Sequence, residues 1–362
     1  MLNITAFPGR YIQGDNALKT LGEQIAQYAD KGLLLCDPFV VEQNLFGVEA
    51  DIKKYADIAV ETFRGECCDD EINRIAKRIG DWNCGLVVGI GGGKTLDTAK
   101  AVADKVKIPV IIVPTAASSD APCSSGSVVY NNDGSFNRVI HPPKSPDIVL
   151  VDTRVIVNAP VRLLVAGMGD ALATWFEAES VKAKYEKNVV GGMGSLAAYS
   201  LSKLCFDILM EFGALAKKAC EAKVLTPGFE HVVEANILLS GLGFESGGLA
   251  SAHAVYNGFT VLEATHSYLH GEQVAFGVLV SMFLTDKPRA MIEQVYTFCK
   301  SVGLPLCLAD IGLQNASQDQ VTAVAEATCQ TGANIYHEPT PISVQKVKDA
   351  IMMADVYGKI WK

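Results

Sequence analysis

The chain carries no Cys-x-x-Cys pair, no excess of positive charge and no apolar run long enough to span a bilayer. Each lack removes a class of protein. Lys and Arg number 31 against 40 Asp and Glu, for a net charge of −9. A nucleic-acid binder needs clustered cations to meet phosphates, so that class is set aside. The longest apolar run, about 274–284, falls well short of the roughly 20 residues a membrane span requires and reads as a buried helix. Ten cysteines occur without zinc-finger or redox spacing. In a chain of 362 residues, large enough for sizeable cores, they read as buried free thiols in a reducing compartment. The opening MLNITAFPGR has no basic stretch ahead of an apolar core, so a cytoplasmic location is expected.

What is present is ordinary globular material, 49% apolar and 20% charged. Up to residue 160, short apolar runs at 32–36, 57–63, 85–90, 110–113 and 147–152 alternate with helical stretches at 16–29, 38–54, 69–81 and 95–106. Such alternation predicts a parallel sheet covered on both faces. Two alternating segments around Asp133-Gly134 predict a β-hairpin over about 126–140. After Asn158-Ala159-Pro160 the strand signals stop, and apolar residues recur at helical spacing to the end. The expected architecture is therefore an α/β nucleotide-binding domain over 1–160 followed by an all-helical domain over 161–362. A ligand is expected in a cleft between them, beyond the carboxyl ends of the strands.

Gly89-Ile-Gly-Gly-Gly-Lys-Thr95 follows an apolar run and opens a helix. Glycines let the backbone approach a pyrophosphate, and a helix start offers free N–H groups. The loop matches neither familiar template. The dinucleotide fingerprint needs glycine where Lys94 stands, and the Walker pattern needs it at Val88. A purely structural strand–helix junction is the competing reading. Asp37 follows the first strongly apolar run. It suits an adenosine ribose, favouring NAD over NADP, and equally suits the cap of a helix beginning at Pro38.

Three of six histidines fall within 252–271: His253, His266 and His270. Imidazole is a preferred zinc ligand, and a catalytic zinc takes three protein ligands with one position open. His266 and His270 would share a face if one helix held both. Asp170, after glycines at 167 and 169, is a candidate carboxylate ligand and, on local grounds alone, a better helix cap.

Taken together, several stretches resemble the glycerol dehydrogenase branch of the iron-containing alcohol dehydrogenase family: 89–100, 114–122, 167–178, 243–255 and 270–277, in order, with Gly-Arg-Tyr-Ile-Gln-Gly at 9–14. The resemblance implies a dehydroquinate synthase-like architecture. It implies a metal held by Asp170, His253 and His270, and NAD contacts from Asp37, Gly92, Gly93, Lys94, Thr115, Ser118, Ser124, Gly126 and Tyr130. Gly126 departs from the leucine associated with its position, which puts side-chain packing on the cofactor there in doubt. Asp120 is implied to bind a polyol hydroxyl beside His253. Iron-dependent members resemble this segment but carry a fourth ligand, histidine, where this chain has Thr174; a three-ligand site suits zinc better.

The expected activity is NAD-linked oxidation of glycerol to dihydroxyacetone, or of a related 1,2-diol. Another diol or alcohol dehydrogenase of the same family is the alternative. A lyase resembling dehydroquinate synthase ranks lower, because the motif segments offer chiefly Lys94 and Lys100 to hold phosphate. The family resemblance further implies a homo-oligomer, with an octamer among the possible assemblies.

Overall fold

The computed structural model describes residues 2–362. The chain divides into two compact units. One comprises Ala6–Ala117 and Ala121–Ala159. The other comprises the N-terminal segment up to Thr5, Ser118–Asp120 and Pro160–Lys362.

The first unit is built on six strands, all parallel, in the order β1-β8-β5-β4-β2-β3. They are β1 (Tyr11–Gly14), β2 (Lys31–Cys36), β3 (Asp57–Thr62), β4 (Leu86–Gly91), β5 (Val110–Pro114) and β8 (Ile148–Asp152). β6 (Ser127–Tyr130) and β7 (Phe136–Ile140) pair antiparallel as the expected hairpin. Every residue of β4, β5 and β8 is buried, as their unbroken apolar runs require in a parallel sheet covered on both faces. The helices are α1 (Leu21–Ala26), α2 (Pro38–Glu42), α3 (Glu49–Ile52), α4 (Asp69–Trp82), α5 (Gly93–Val106) and α6 (Thr153–Asn158).

Register aligns the strand ends. Gly91 pairs with Pro114 at the carboxyl ends of β4 and β5. The Asp37 N–H donates to the Ile90 carbonyl at 2.9 Å, and the Thr115 N–H to the Gly91 carbonyl at 3.1 Å. The turns after β2, β4 and β5 are thereby tied side by side.

Three expectations need correction. β1 escaped the sequence reading; it is a four-residue, half-buried edge strand beside β8. The helix expected over 38–54 is broken, because Asn44, Leu45 and Phe46 take positive φ of 50°, 49° and 53°, a region helices cannot include. The helix expected over 16–29 is a 3-10 turn at Ala17–Thr20 followed by the short α1.

The second unit is helical: α7 (Val161–Lys184), α8 (Leu196–Glu221), α9 (Pro227–Glu234), α10 (Ser240–Gly247), α11 (Ser251–Phe259), α12 (His270–Leu284), α13 (Arg289–Val302), α14 (Gln318–Thr328) and α15 (Val344–Trp361). A π turn, Ala235–Leu239, joins α9 to α10. Glycines let α12 press against two neighbours. A Cβ at Gly271 would sit 1.8 Å from the Ala166 carbonyl oxygen on α7, and one at Gly277 2.3 Å from the Ala252 oxygen on α11. No described helix is long and apolar enough to cross a membrane. All ten cysteines are free thiols.

Candidate active site

Asp170 lies in the interior of α7, well past its start at Val161, so the helix-cap reading is wrong. The residues after Pro160 extend the helix back through the glycines that looked like a start. Gly169 is needed there because a Cβ would meet the Gly271 carbonyl oxygen at 2.2 Å. The carboxylate of Asp170 is fully buried. Its Oδ1 lies 3.4 Å from His253 Nε2 and 3.1 Å from His270 Nε2. His253 stands in the first turn of α11 and His270 opens α12. Three helices thus bring one oxygen and two imidazole nitrogens together, with all three donor atoms within 4.8 Å of one another.

This donor set fits a metal ion on two counts. Oδ1 is buried and satisfied by no hydrogen bond, although two imidazoles face it. Its separations from the nitrogens are also close to the edge of a tetrahedron with bonds of about 2.0–2.1 Å. Burial acts to raise the Asp170 pKa, but the His270 and His253 imidazoles outweigh it and hold the group below the ordinary carboxylate range. His253 moves up despite burial, chiefly through Glu177 and then Asp170.

Glu177 escaped the sequence reading. Its Oε2 is 2.6 Å from His253 Nδ1, and its Oε1 accepts the backbone N–H groups of Ala250 and His253, each at 2.9 Å. Asp170, Thr174 and Glu177 are spaced i, i+4, i+7, one stripe of α7. That stripe of polar side chains on an otherwise apolar stretch, 163–178, was the available signal.

Asp120 is buried beside this cluster. Its backbone N–H donates to Asp170 Oδ2 at 3.2 Å, and its own Oδ2 accepts from the Ser240 hydroxyl at 2.8 Å. Burial, reinforced by the Asp170 charge, pushes its pKa well up. Thr174 is 2.7 Å from Ser240. Tyr256 packs edge-on against the His270 ring, with centroids 4.4 Å apart. His266 stays outside the cluster. It follows a 3-10 turn rather than sharing a helix with His270, and its Nε2 lies 2.9 Å from the Thr260 carbonyl oxygen.

The remaining candidates, Ser118 excepted, belong to the α/β unit. α5 begins at Gly93 with Gly92 as its cap residue and no side-chain cap. A Cβ at either glycine would meet nothing within 4 Å. The helix start thus combines N–H groups that no side chain caps with open space on the side-chain side of both glycines, a cradle that fits a phosphate. Asp37 caps α2, its Oδ1 accepting the Phe39 N–H at 3.1 Å, while its Oδ2 lies 3.5 Å from the Thr95 hydroxyl. Thr115 is tied through its N–H to Gly91 at the end of β4. Lys94 pairs with Glu66 at 2.6 Å and lies 5.0 Å over the Tyr130 ring. Ser124 donates to the Ala121 carbonyl at 3.1 Å. The Gly126 carbonyl accepts from Lys100. Lys100 is buried, pairs with Asp97 at 2.9 Å and also reaches the Ala121 carbonyl at 3.1 Å. It is thus committed to holding the loop before β6, which removes it from any phosphate-binding role. Ser118 lies with Asp120 in the helical unit.

A parallel sheet with a capless glycine helix start, and a helical unit with an Asp-His-His cluster, fit the class of nucleotide-dependent enzymes with a metal site. Residues 8–153 match the family model of the iron-containing alcohol dehydrogenases. The chain is 53% identical to a glycerol dehydrogenase of Thermotoga maritima, over 100% of this chain and 99% of that one. It is 41% identical to a glycolaldehyde reductase of Halobacterium salinarum, over 99% of each. The crystal structure of a probable glycerol dehydrogenase from Sinorhizobium meliloti superposes with a TM-score of 0.93 at 41% identity, over 99% of this chain and 100% of that one. The chain therefore belongs to the iron-containing alcohol dehydrogenase family, an oxidoreductase grouped with its glycerol dehydrogenases.

Proposed function

We propose that this protein is an NAD-dependent glycerol dehydrogenase using one zinc ion per subunit. The observation that carries the reading is the convergence of Asp170 Oδ1, His253 Nε2 and His270 Nε2, with Asp120 hydrogen-bonded to the same carboxylate. In this reading the α/β unit binds the nucleotide, and the helical unit, which takes in Asp120 with Pro160–Lys362, binds metal and substrate. Asp170, His253 and His270 hold the metal. Thr174 is spent on Ser240, which favours a three-ligand zinc site over a four-ligand iron site. When bound, zinc supplies Lewis-acid polarisation of a secondary hydroxyl, and NAD supplies the hydride acceptor.

The chain's own groups do the positioning. The start of α5 at Gly92, Gly93 and Lys94 receives the pyrophosphate, and Asp37 accepts from a ribose hydroxyl through the oxygen not spent on its cap. Thr115, Ser118, Ser124, Gly126 and Tyr130 complete the nucleotide contacts. Asp120 accepts from a hydroxyl neighbouring the reacting carbon, alongside His253. A buried acceptor of this kind rejects alcohols that lack the second hydroxyl. A cytoplasmic homo-oligomer belongs to the same reading.

The test is NADH formation from glycerol, 1,2-propanediol and a monohydric alcohol, before and after chelation. Activity should follow the diols, disappear on chelation and return with Zn²⁺. Full activity in exhaustively metal-free protein would overturn the metal assignment.

A further inference from the structure

Asp120, Ser240 and Thr174 form a chain of side chains whose direction can be worked out. Ser240 Oγ lies 2.8 Å from Asp120 Oδ2 and 2.7 Å from Thr174 Oγ1. The serine has one proton and gives it to Asp120, so the threonine must be the donor to serine. Thr174 and Ser240 are fully buried. Thr174 is also held from the side. A Cβ on Gly243 would come within 2.2 Å of the Thr174 methyl, so α10 crosses α7 closely there. Ser240 and Gly243, three apart on α10, clasp Thr174 between hydroxyl and backbone. The π turn Ala235–Leu239 ends immediately before Ser240, and π turns recur where a helix must re-aim a functional side chain.

We infer that Ser240, backed by Thr174, is a positioning residue for substrate specificity, fixing one oxygen of Asp120 so that the other faces the second hydroxyl of the diol. This rests on the assignment of Asp120 to the substrate under the proposed function. Without the serine, the Asp120 carboxylate loses the donor that sets its rotation, while the three metal donors keep their contacts. The position that supplies a metal ligand in the resembling iron members is here spent on substrate selection.

The test is steady-state kinetics of Ser240→Ala, Thr174→Val and Asp120→Asn against the parent, with metal content measured on each protein. Ser240→Ala should raise the glycerol KM roughly tenfold, the scale of one lost hydrogen bond to a carboxylate. Its kcat should stay within about twofold. Thr174→Val keeps volume and fold, and should move KM the same way by about threefold. In Ser240→Ala and Thr174→Val, metal stoichiometry and the residual kcat/KM for a monohydric alcohol should not change, and glycerol should raise the Tm of Ser240→Ala less than that of the parent. If Asp120→Asn raises KM and Ser240→Ala does not, the positioning role is overturned while Asp120 keeps its own. If Asp120→Asn leaves KM unchanged, the substrate reading beneath it falls. Loss of metal in Ser240→Ala also overturns the inference, since the serine would then act through the metal donors.

Discussion

Glu177 touches His253 at two points, ring Nδ1 and backbone N–H. A carboxylate accepts only, so Nδ1 must carry a proton, and Nε2 is the nitrogen that gives up its own proton to take a metal. This fixes the ring plane and the nitrogen that faces the cluster before any metal arrives, and such outer partners typically govern 10- to 100-fold of metal affinity. Glu177→Gln should therefore weaken Zn²⁺ binding by roughly tenfold in competition with a chromophoric chelator. The control is Glu338→Gln. Glu338 accepts the Ser251 N–H at 3.1 Å, so it caps the same helix start without touching His253. If both variants lost metal equally, Glu177 would be only a cap for α11. The metal-ligand candidates were legible in the sequence because histidines are scarce and the flanking motifs long. Glu177 and Ser240 were not, since an apolar helix hides one polar stripe and the serine acts on a residue far away in the chain.

At the scale of elements, the site depends on how closely helices approach. Gly271 follows His270 directly, and its missing Cβ admits the Ala166 carbonyl. Gly271→Ala must push α12 off α7, because the obstructing atom is backbone rather than a flexible side chain. The expected cost is about 1–3 kcal/mol of stability, the range for overpacking. The displacement of His270 should also lower metal occupancy, so a denaturant midpoint and a metal titration should fall together. A stable variant with full metal content would contradict the close approach. The same scale explains which elements could be read. Buried parallel strands announce themselves as apolar runs, and Asp133-Gly134 announced the hairpin. β1 did not, being four half-buried residues whose strand character comes only from pairing with β8. The break at Asn44–Gly47 was hidden by an apolar spacing that a helix and a compact turn share. Asp170 misled in the opposite sense. Glycines normally punctuate helices, but here they sit inside α7, where Gly169 leaves the space that α12 requires.

For the whole molecule, binding at a site contributed by three helices is linked to folding. Metal should raise the Tm of parent protein, and Asp170→Asn should abolish most of that rise, since only the folded chain assembles the donors. Proton binding acts through other groups. Burial raises the pKa of Glu338 above its ordinary 4.5, with Glu177 adding to it against the opposing Ser180 and Ser251 hydrogen bonds. A raised folded value means the unfolded chain releases its proton first. The stability contributed is full below the unfolded pKa and is lost as pH rises through the folded one. Glu338→Gln, which keeps an acceptor for Ser251 but cannot ionise, should therefore lose less stability than the parent as pH rises from about 4 toward neutrality. Glu61 runs the other way. Burial opposes its ionisation, but hydrogen bonds from Arg78 and Arg74 outweigh it and lower its pKa. Its contribution is full above 4.5 and disappears as pH falls through the depressed folded value. Glu61→Gln should thus cost stability at neutral pH and converge with the parent in acid. Denaturant midpoints across pH, at fixed metal loading, separate the two. Parallel curves for Glu338→Gln and the parent would mean that the Glu338 carboxyl titrates alike in both states, and burial would then not govern it.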